Sequence, residues 1–303
     1  LTYQLVNQIE SGSQMTTREE WIAGARPKTL PAVISPVIVG TAFAGYNANA
    51  VNFLLALLVG LGLQIGVNYA NDYSDGVRGT DVDRVGPMRL VGSGAATADA
   101  VKRAALISIG IAALAGVLLA ARTSWFLVGI GALSILAAWT YTGGPKPYGY
   151  FALGEVSVFL FFGLVATIGT YYVHTESISL EVLLAAIAMG SLACSILALN
   201  NLRDLEKDRA AGKITLAVKI GDGPTRKMLH GLFVVPLLVA IALLPNSFFH
   251  LIVILAIPQI LFVLKKIRGG ASGSELIELL ERTGRIQIIY ALAISFAALM
   301  SAR

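Results

Sequence analysis

Nine stretches of roughly twenty apolar residues fill most of the chain, and no other feature limits its fold so strongly. They fall at 29–46, 51–70, 101–121, 124–141, 151–173, 179–201, 230–245, 247–265 and 285–302. A run of this length crosses ~30 Å of hydrocarbon as a helix, because a helix satisfies its own backbone groups where water is absent. Composition agrees. Of 303 residues 56% are hydrophobic and 14% charged, against roughly 25% charged in soluble domains. A mean hydropathy of +0.73 leaves too little polar surface to cover a soluble globule. The expected fold is all-α, a polytopic bundle of nine transmembrane helices in a lipid bilayer. Residues 1–20 read as a polar N-terminal tail without the basic, apolar, small-residue order of a cleaved signal, and 21–303 as one membrane-embedded domain. Pro31, Pro36, Pro236 and Pro258 are expected to kink their helices. The single Cys194 excludes disulfides and thiolate metal sites.

The net charge of +5 would suit nucleic acid, but its distribution assigns it to topology. Of the 23 basic residues, 21 fall before the first span or in alternate loops after it, leaving Arg122 and Arg303 on the other side. Cytoplasmic loops hold the excess of Lys and Arg, so the N-terminus is expected inside and the C-terminus outside. The three long loops share the cytoplasmic side, which is therefore the expected working face of a cell-membrane protein.

Two acidic clusters sit where spans two and six end. The first is Asn68, Asn71, Asp72 and Asp75, followed by Arg78, Gly79 and Asp81; the second is Asn200, Asn201, Asp204 and Asp208, followed by Lys213. At about 100° per residue each set of four lies within one helical arc. Gly76 and Gly79 are expected to break the first helix, so that Asp81 folds back. Both spans run the same way, so the clusters stand at matching depth and can face one another. Carboxylates near hydrocarbon and at helix C-termini repel unless a cation neutralises them. Oxygen-only ligands point to Mg²⁺, with Mn²⁺ as the alternative, and Mg²⁺ keeps positions for phosphate oxygens. The arrangement suits stabilisation of a departing diphosphate.

These motifs resemble those of the UbiA superfamily of membrane-embedded prenyltransferases, an Asn-Asp-x-x-Asp pattern after helix two and Asp-x-x-x-Asp after helix six. Gly24 to Pro31, Tyr141 to Tyr150 and Gly212 to Val218 resemble the branch acting on 1,4-dihydroxy-2-naphthoate, as does Gly79-Thr80-Asp81 in place of an Asp four residues after Asp75. The resemblance implies that Asn71, Asp75, Asp81, Asp204 and Asp208 bind Mg²⁺, with Asp72 as a further catalytic carboxylate or a residue supporting the ligands. It implies a polyprenyl diphosphate held by Arg78, Arg203 and Lys213 beside Asn68 and Asn200. Arg26, Lys28 and Lys146 would hold the acceptor's carboxylate or the diphosphate. Tyr69, Tyr73, Tyr141, Tyr148 and the Phe159 to Phe162 stretch offer ring faces to an allylic cation. Other aromatic acceptors, such as 4-hydroxybenzoate or homogentisate, are the alternative. A cation-coupled transporter is a different class, opposed by carboxylates at one face instead of midplane. A CDP-alcohol phosphotransferase lacks its Asp-Gly-x-x-Ala-Arg pattern here.

Overall fold

The computed structural model describes residues 16–79, 88–144 and 147–301; Asp81 and Lys146 lie outside them. The described residues are helical throughout, without strands, apart from one isolated parallel bridge between Phe151 and Ile214. In chain order the helices are α1 (Arg18–Ala25), α2 (Pro31–Phe43), α3 (Ala50–Arg78), α4 (Ala98–Arg122), α5 (Phe126–Thr140), α6 (Gly154–Thr175), α7 (Leu180–Arg203), α8 (Leu205–Ala210), α9 (Leu216–Ile220), α10 (Asp222–Ala242), α11 (Phe248–Arg268) and α12 (Ser274–Ser301).

Seven of the nine expected spans are long and apolar enough to cross a membrane: α3, α4, α6, α7, α10, α11 and α12. The count of nine full-length spans is not met. Helices α2 and α5 have 13 and 15 residues, or about 20 and 22 Å at ~1.5 Å per residue. Hydropathy does not register the 3₁₀ turns Pro27–Thr29 and Gly45–Asn47 that bound α2. Nor does polarity reveal α1, where Thr17 and Glu20 exchange capping hydrogen bonds inside the expected tail.

Helix α7 is the most buried span, with 78% of its apolar window inside the protein. Around it pack α6, α10, α12 and α2. Gly163 of α6 and Gly190 of α7 allow this approach, since a Cβ at Gly163 would come 2.5 Å from the Gly190 Cα. Helices α3 and α4 form a second layer, joined where a Cβ at Gly62 would meet the Ser108 carbonyl at 2.8 Å. Outward faces keep large apolar side chains such as Leu114, Leu133, Leu238 and Ile254 exposed, as a lipid-facing surface requires.

The prolines divide by position. Pro31 stands in the first turn of α2, where a missing N–H disturbs nothing, and Pro258 lies where α11 passes from its 3₁₀ segment Phe248–Ala256 into the α-helical segment Ile257–Arg268. Pro36 and Pro236 lie inside helices. Pro236 cannot donate to the Leu232 carbonyl one turn earlier, and Ser191 of α7 fills the gap with a hydroxyl at 2.8 Å. Gly76 does not break α3, which continues to Arg78 and ends on Gly79 in the left-handed conformation. Gly76 instead admits the Val91 side chain, whose Cβ would lie 2.5 Å from any added methyl.

Candidate active site

Helix α3 ends with its acidic face divided among three neighbours. Asn68, buried, donates to the Ala25 carbonyl at 2.9 Å and to Thr29 Oγ1 at 3.2 Å. Asn71 accepts from Thr142 Oγ1. Asp72 accepts the backbone N–H of Leu90 at 2.8 Å and of Val91 at 3.0 Å, fully buried. Asp75 Oδ2 pairs with Arg89 at 3.4 Å, and its Oδ1 accepts from the Tyr150 hydroxyl at 3.2 Å.

The second acidic face is not one continuous helix. Helix α7 ends at Arg203, Asp204 caps it, and α8 begins at Leu205. Arg203 donates to both Asp204 oxygens at 2.8 and 2.6 Å and to Asn200 Oδ1 at 2.8 Å. Lys213 reaches Asp208 at 3.4 Å. The Lys213 backbone N–H also bonds the Asp208 carbonyl at 2.8 Å, which folds the loop back on α8.

Tyr150 joins the two ends. Its hydroxyl is on Asp75, and the cations of Lys213 and Arg78 lie 5.6 and 5.4 Å from its ring centroid. The backbone beside it is clipped to the second motif, with the Ala152 N–H donating to the Ile214 carbonyl at 2.8 Å. Burial first, then the Asp75 charge, push the Tyr150 hydroxyl above the usual phenol range, so it stays protonated and remains a donor.

Below this polar end a cavity of about 720 Å³ runs into the bundle. Its polar residues include Asn68, Asn71, Asp75, Arg89, Asn200, Asn201, Arg203 and Lys213, and its apolar walls include Val37, Leu63, Leu119, Ile130, Phe161 and Phe162. Tyr141 and Tyr148 line it, their rings edge to face at 5.5 Å. Along the Phe162 wall α6 is a π-helix from Phe159 to Val165, a local widening often found at functional sites. Arg26 and Lys28 line the mouth, where Lys28 pairs with Glu281 at 2.6 Å.

Not every expected residue converges there. Asp72, Arg78, Asp204 and Asp208 do not line the cavity. Arg78 instead holds the loop after α5 through the Thr142 and Gly144 carbonyls at 3.0 and 2.7 Å. Tyr69 donates to the Trp21 carbonyl, and Tyr73 lies under Lys102, so neither ring faces the cavity. Among the described residues no three His, Cys, Asp or Glu side chains cluster as metal ligands; Asp75, Asp204 and Asp208 are each paired with a basic side chain. The sequence marks Arg89 only as a topology signal, Asn201 only as a member of the second cluster, and Thr142, Tyr150 and Glu155 not at all as single residues, although Thr142 and Tyr150 belong to the Tyr141 to Tyr150 stretch.

A helical membrane bundle with a polar-mouthed, apolar-walled cavity between two acidic helix ends defines a class, and this chain belongs to the UbiA prenyltransferase family, which its residues 33–273 match. Among its relatives, the 1,4-dihydroxy-2-naphthoate octaprenyltransferase of Mycobacterium tuberculosis is 47% identical over 93% of this chain and 98% of that protein. The Escherichia coli protein of the same name is 41% identical over 76% of this chain and 77% of its own length. The apo structure of a UbiA homolog from Aeropyrum pernix K1 superposes with a TM-score of 0.69 at 17% identity, covering 88% of this chain and 96% of that one. A UbiA homolog from Archaeoglobus fulgidus bound to GPP and Mg²⁺ gives 0.64 at 16% identity, covering 92% and 99%. These solved structures share the fold.

Proposed function

We propose that this chain transfers a polyprenyl group from a polyprenyl diphosphate to 1,4-dihydroxy-2-naphthoate with loss of CO₂, giving a demethylmenaquinol. One observation carries this reading: a single cavity of about 720 Å³ joins cationic and amide groups at its mouth to a long apolar interior. A substrate with an anionic head and a hydrocarbon tail fits such a cavity end to end. The acceptor is inferred from the names of the relatives at 47% and 41% identity.

Arg89, Arg203 and Lys213, facing the cavity, bind the outer diphosphate oxygens. The apolar walls exclude water from the allylic cation formed as the C–O bond ionises. Ring faces of Tyr141 and Phe162 stabilise that cation. The hydroquinone then attacks through its carboxylated carbon, and loss of CO₂ restores aromaticity.

The donor set fits a hard divalent cation, because both helix ends supply carboxylate and amide oxygens; Arg89, Arg203 and Lys213, which pair with Asp75, Asp204 and Asp208, stand where they would meet the diphosphate once those oxygens turn to the ion. Asp75, Asp204, Asp208 and Asn71, with Asp81, would hold Mg²⁺, and Mn²⁺ would substitute. When bound, the ion supplies charge neutralisation to the departing diphosphate. The N-terminus is cytoplasmic, the C-terminus external, the site opens to the cytoplasm, and residues 21–303 act as one domain.

The test incubates purified full-length protein with radiolabelled prenyl diphosphate and a panel of aromatic acceptors, with and without Mg²⁺. Labelled lipid product from the hydroxynaphthoate alone, and only with the metal, is expected. Product from 4-hydroxybenzoate or homogentisate would reassign the acceptor, and no product from any would overturn the reading.

A further inference from the structure

Glu155 is a carboxylate that the reaction described above does not use. It stands in the first turn of α6, 7% exposed, behind the cavity wall and not lining it. Its Oε1 accepts from Asn201 Nδ2 of α7 at 2.9 Å, and its Oε2 is buried with no hydrogen-bond partner among the described residues. A carboxylate inside a membrane bundle is costly unless it is compensated. An apolar residue would fill the same crevice beside Val156 and Phe159 without that penalty.

What a carboxylate does there, and an apolar residue cannot, is choose one face of the Asn201 amide. The Oε1 that faces Asn201 accepts, so it binds the amide NH₂ and leaves the amide oxygen to point elsewhere. Asn201 lines the cavity, 4% exposed, and its Oδ1 has no partner among the described residues. With Nδ2 turned back to Glu155, Oδ1 is left to face the cavity. It lies one residue beyond Asn200, which Arg203 grips at 2.8 Å at the head-group end. A phenolic hydroxyl is the donor that an aromatic acceptor in this cavity carries.

We propose that Glu155 is a positioning residue: it locks the Asn201 amide so that its oxygen accepts a hydrogen bond from a ring hydroxyl of the aromatic acceptor. The inference rests on the acceptor reading given above. A hydroxyl that donates its proton toward an acceptor pushes electron density into the ring, which favours attack on a cation. Glu155 thereby selects for an acceptor with a free hydroxyl at that ring position.

The experiment compares wild type, Glu155→Gln, Asn201→Leu and the double variant with 1,4-dihydroxy-2-naphthoate and its two mono-O-methyl ethers, with thermal melting in detergent as a control. Gln offers both an oxygen and an NH₂, so the amide of Asn201 is no longer held one way round. Wild type is expected to prefer the free hydroxyl over one of the ethers by about tenfold, the scale of one hydrogen bond. Each single variant should lose most of that preference, and Glu155→Gln, which does not line the cavity, should do so with the KM for prenyl diphosphate within about twofold of wild type and with turnover of that ether unchanged. The double variant should be no worse than either single one. A Glu155→Gln protein that keeps the hydroxyl preference overturns the proposal. If Glu155→Gln does not fold, Asn201→Leu decides alone, because retention of the preference there is equally fatal. Absence of prenyl transfer by the wild type would instead overturn the acceptor reading, and this assignment with it.

Discussion

The Tyr150 hydroxyl donates to Asp75 Oδ1 at 3.2 Å, and through this contact the loop after α5 is tied to the end of α3. The same ring lies beneath Lys213, which is itself paired with Asp208, so one tyrosine spans the two acidic motifs. The loop after α5 thus carries a connection between the two motifs.

Replacing Tyr150 therefore separates two contributions. Tyr150→Phe keeps the ring under Arg78 and Lys213 but removes the hydroxyl bonded to Asp75 Oδ1, and should lower kcat/KM for prenyl diphosphate by roughly tenfold, the value of one hydrogen bond to a charged group. Tyr150→Ala removes the ring as well and should add a rise in KM as Lys213 loses its seat. Steady-state kinetics at varied diphosphate measure both, and equal kinetics for Phe and Ala would deny the ring any part.

Asp72 and Asp208 should respond in opposite ways. Asp72→Ala strips the buried Leu90 N–H and the partly buried Val91 N–H of their acceptor, at about 1–3 kcal/mol for a buried donor left unsatisfied. Its thermal stability in detergent should fall clearly. Asp208→Ala breaks a partly exposed pair, with Lys213 26% exposed, and should leave stability near wild type while abolishing Mg²⁺-dependent turnover. A stable Asp72→Ala protein, or an active Asp208→Ala protein, contradicts the assignment of that residue.

These pairs also mark how far the sequence could be read. The spacing of Asn68, Asn71, Asp72 and Asp75 puts them within one arc, which is correct as geometry on α3. Asp72 lies at the edge of that arc, and only the packing of Val91 on Gly76 shows that its oxygens are used by the Leu90 and Val91 backbone. Asp204 was placed on a continuous helix because periodicity carries no record of the break at Arg203. Glu155 and Asn201 are 46 residues apart, and no local pattern links them. Hydropathy marks the seven helices long and apolar enough to cross a membrane but not the shortness of α2 and α5, because turn boundaries depend on backbone caps and not on polarity.

The split of 21 basic residues against two predicts a cytoplasmic N-terminus and an external C-terminus. A reporter fused after Arg303 should be active only outside the cytoplasm. Activity only inside it would reverse the topology and place the cavity mouth on the other face.

The acceptor itself can be settled by following one carbon. In 1,4-dihydroxy-2-naphthoate the carboxylate sits on the carbon that is alkylated, so prenyl transfer and CO₂ release must occur one for one. In 4-hydroxybenzoate a neighbouring carbon is alkylated and the carboxylate stays. Acceptor labelled with ¹⁴C in the carboxyl group is therefore expected to lose its label as gas in step with lipid product. Label retained in the lipid would sink the naphthoate assignment while leaving the prenyl transfer itself intact. The same assay run on Lys146→Ala and Lys28→Ala tells which cation meets that carboxylate. Lys28 already has Glu281 at 2.6 Å, a pair that an incoming carboxylate must displace. Lys146→Ala should accordingly raise the KM for the acceptor more than the KM for prenyl diphosphate, whose head group has Arg89, Arg203 and Lys213 along the same wall. The reverse pattern would assign Lys146 to the diphosphate and leave the acceptor's carboxylate to Arg26 or Lys28 at the cavity mouth.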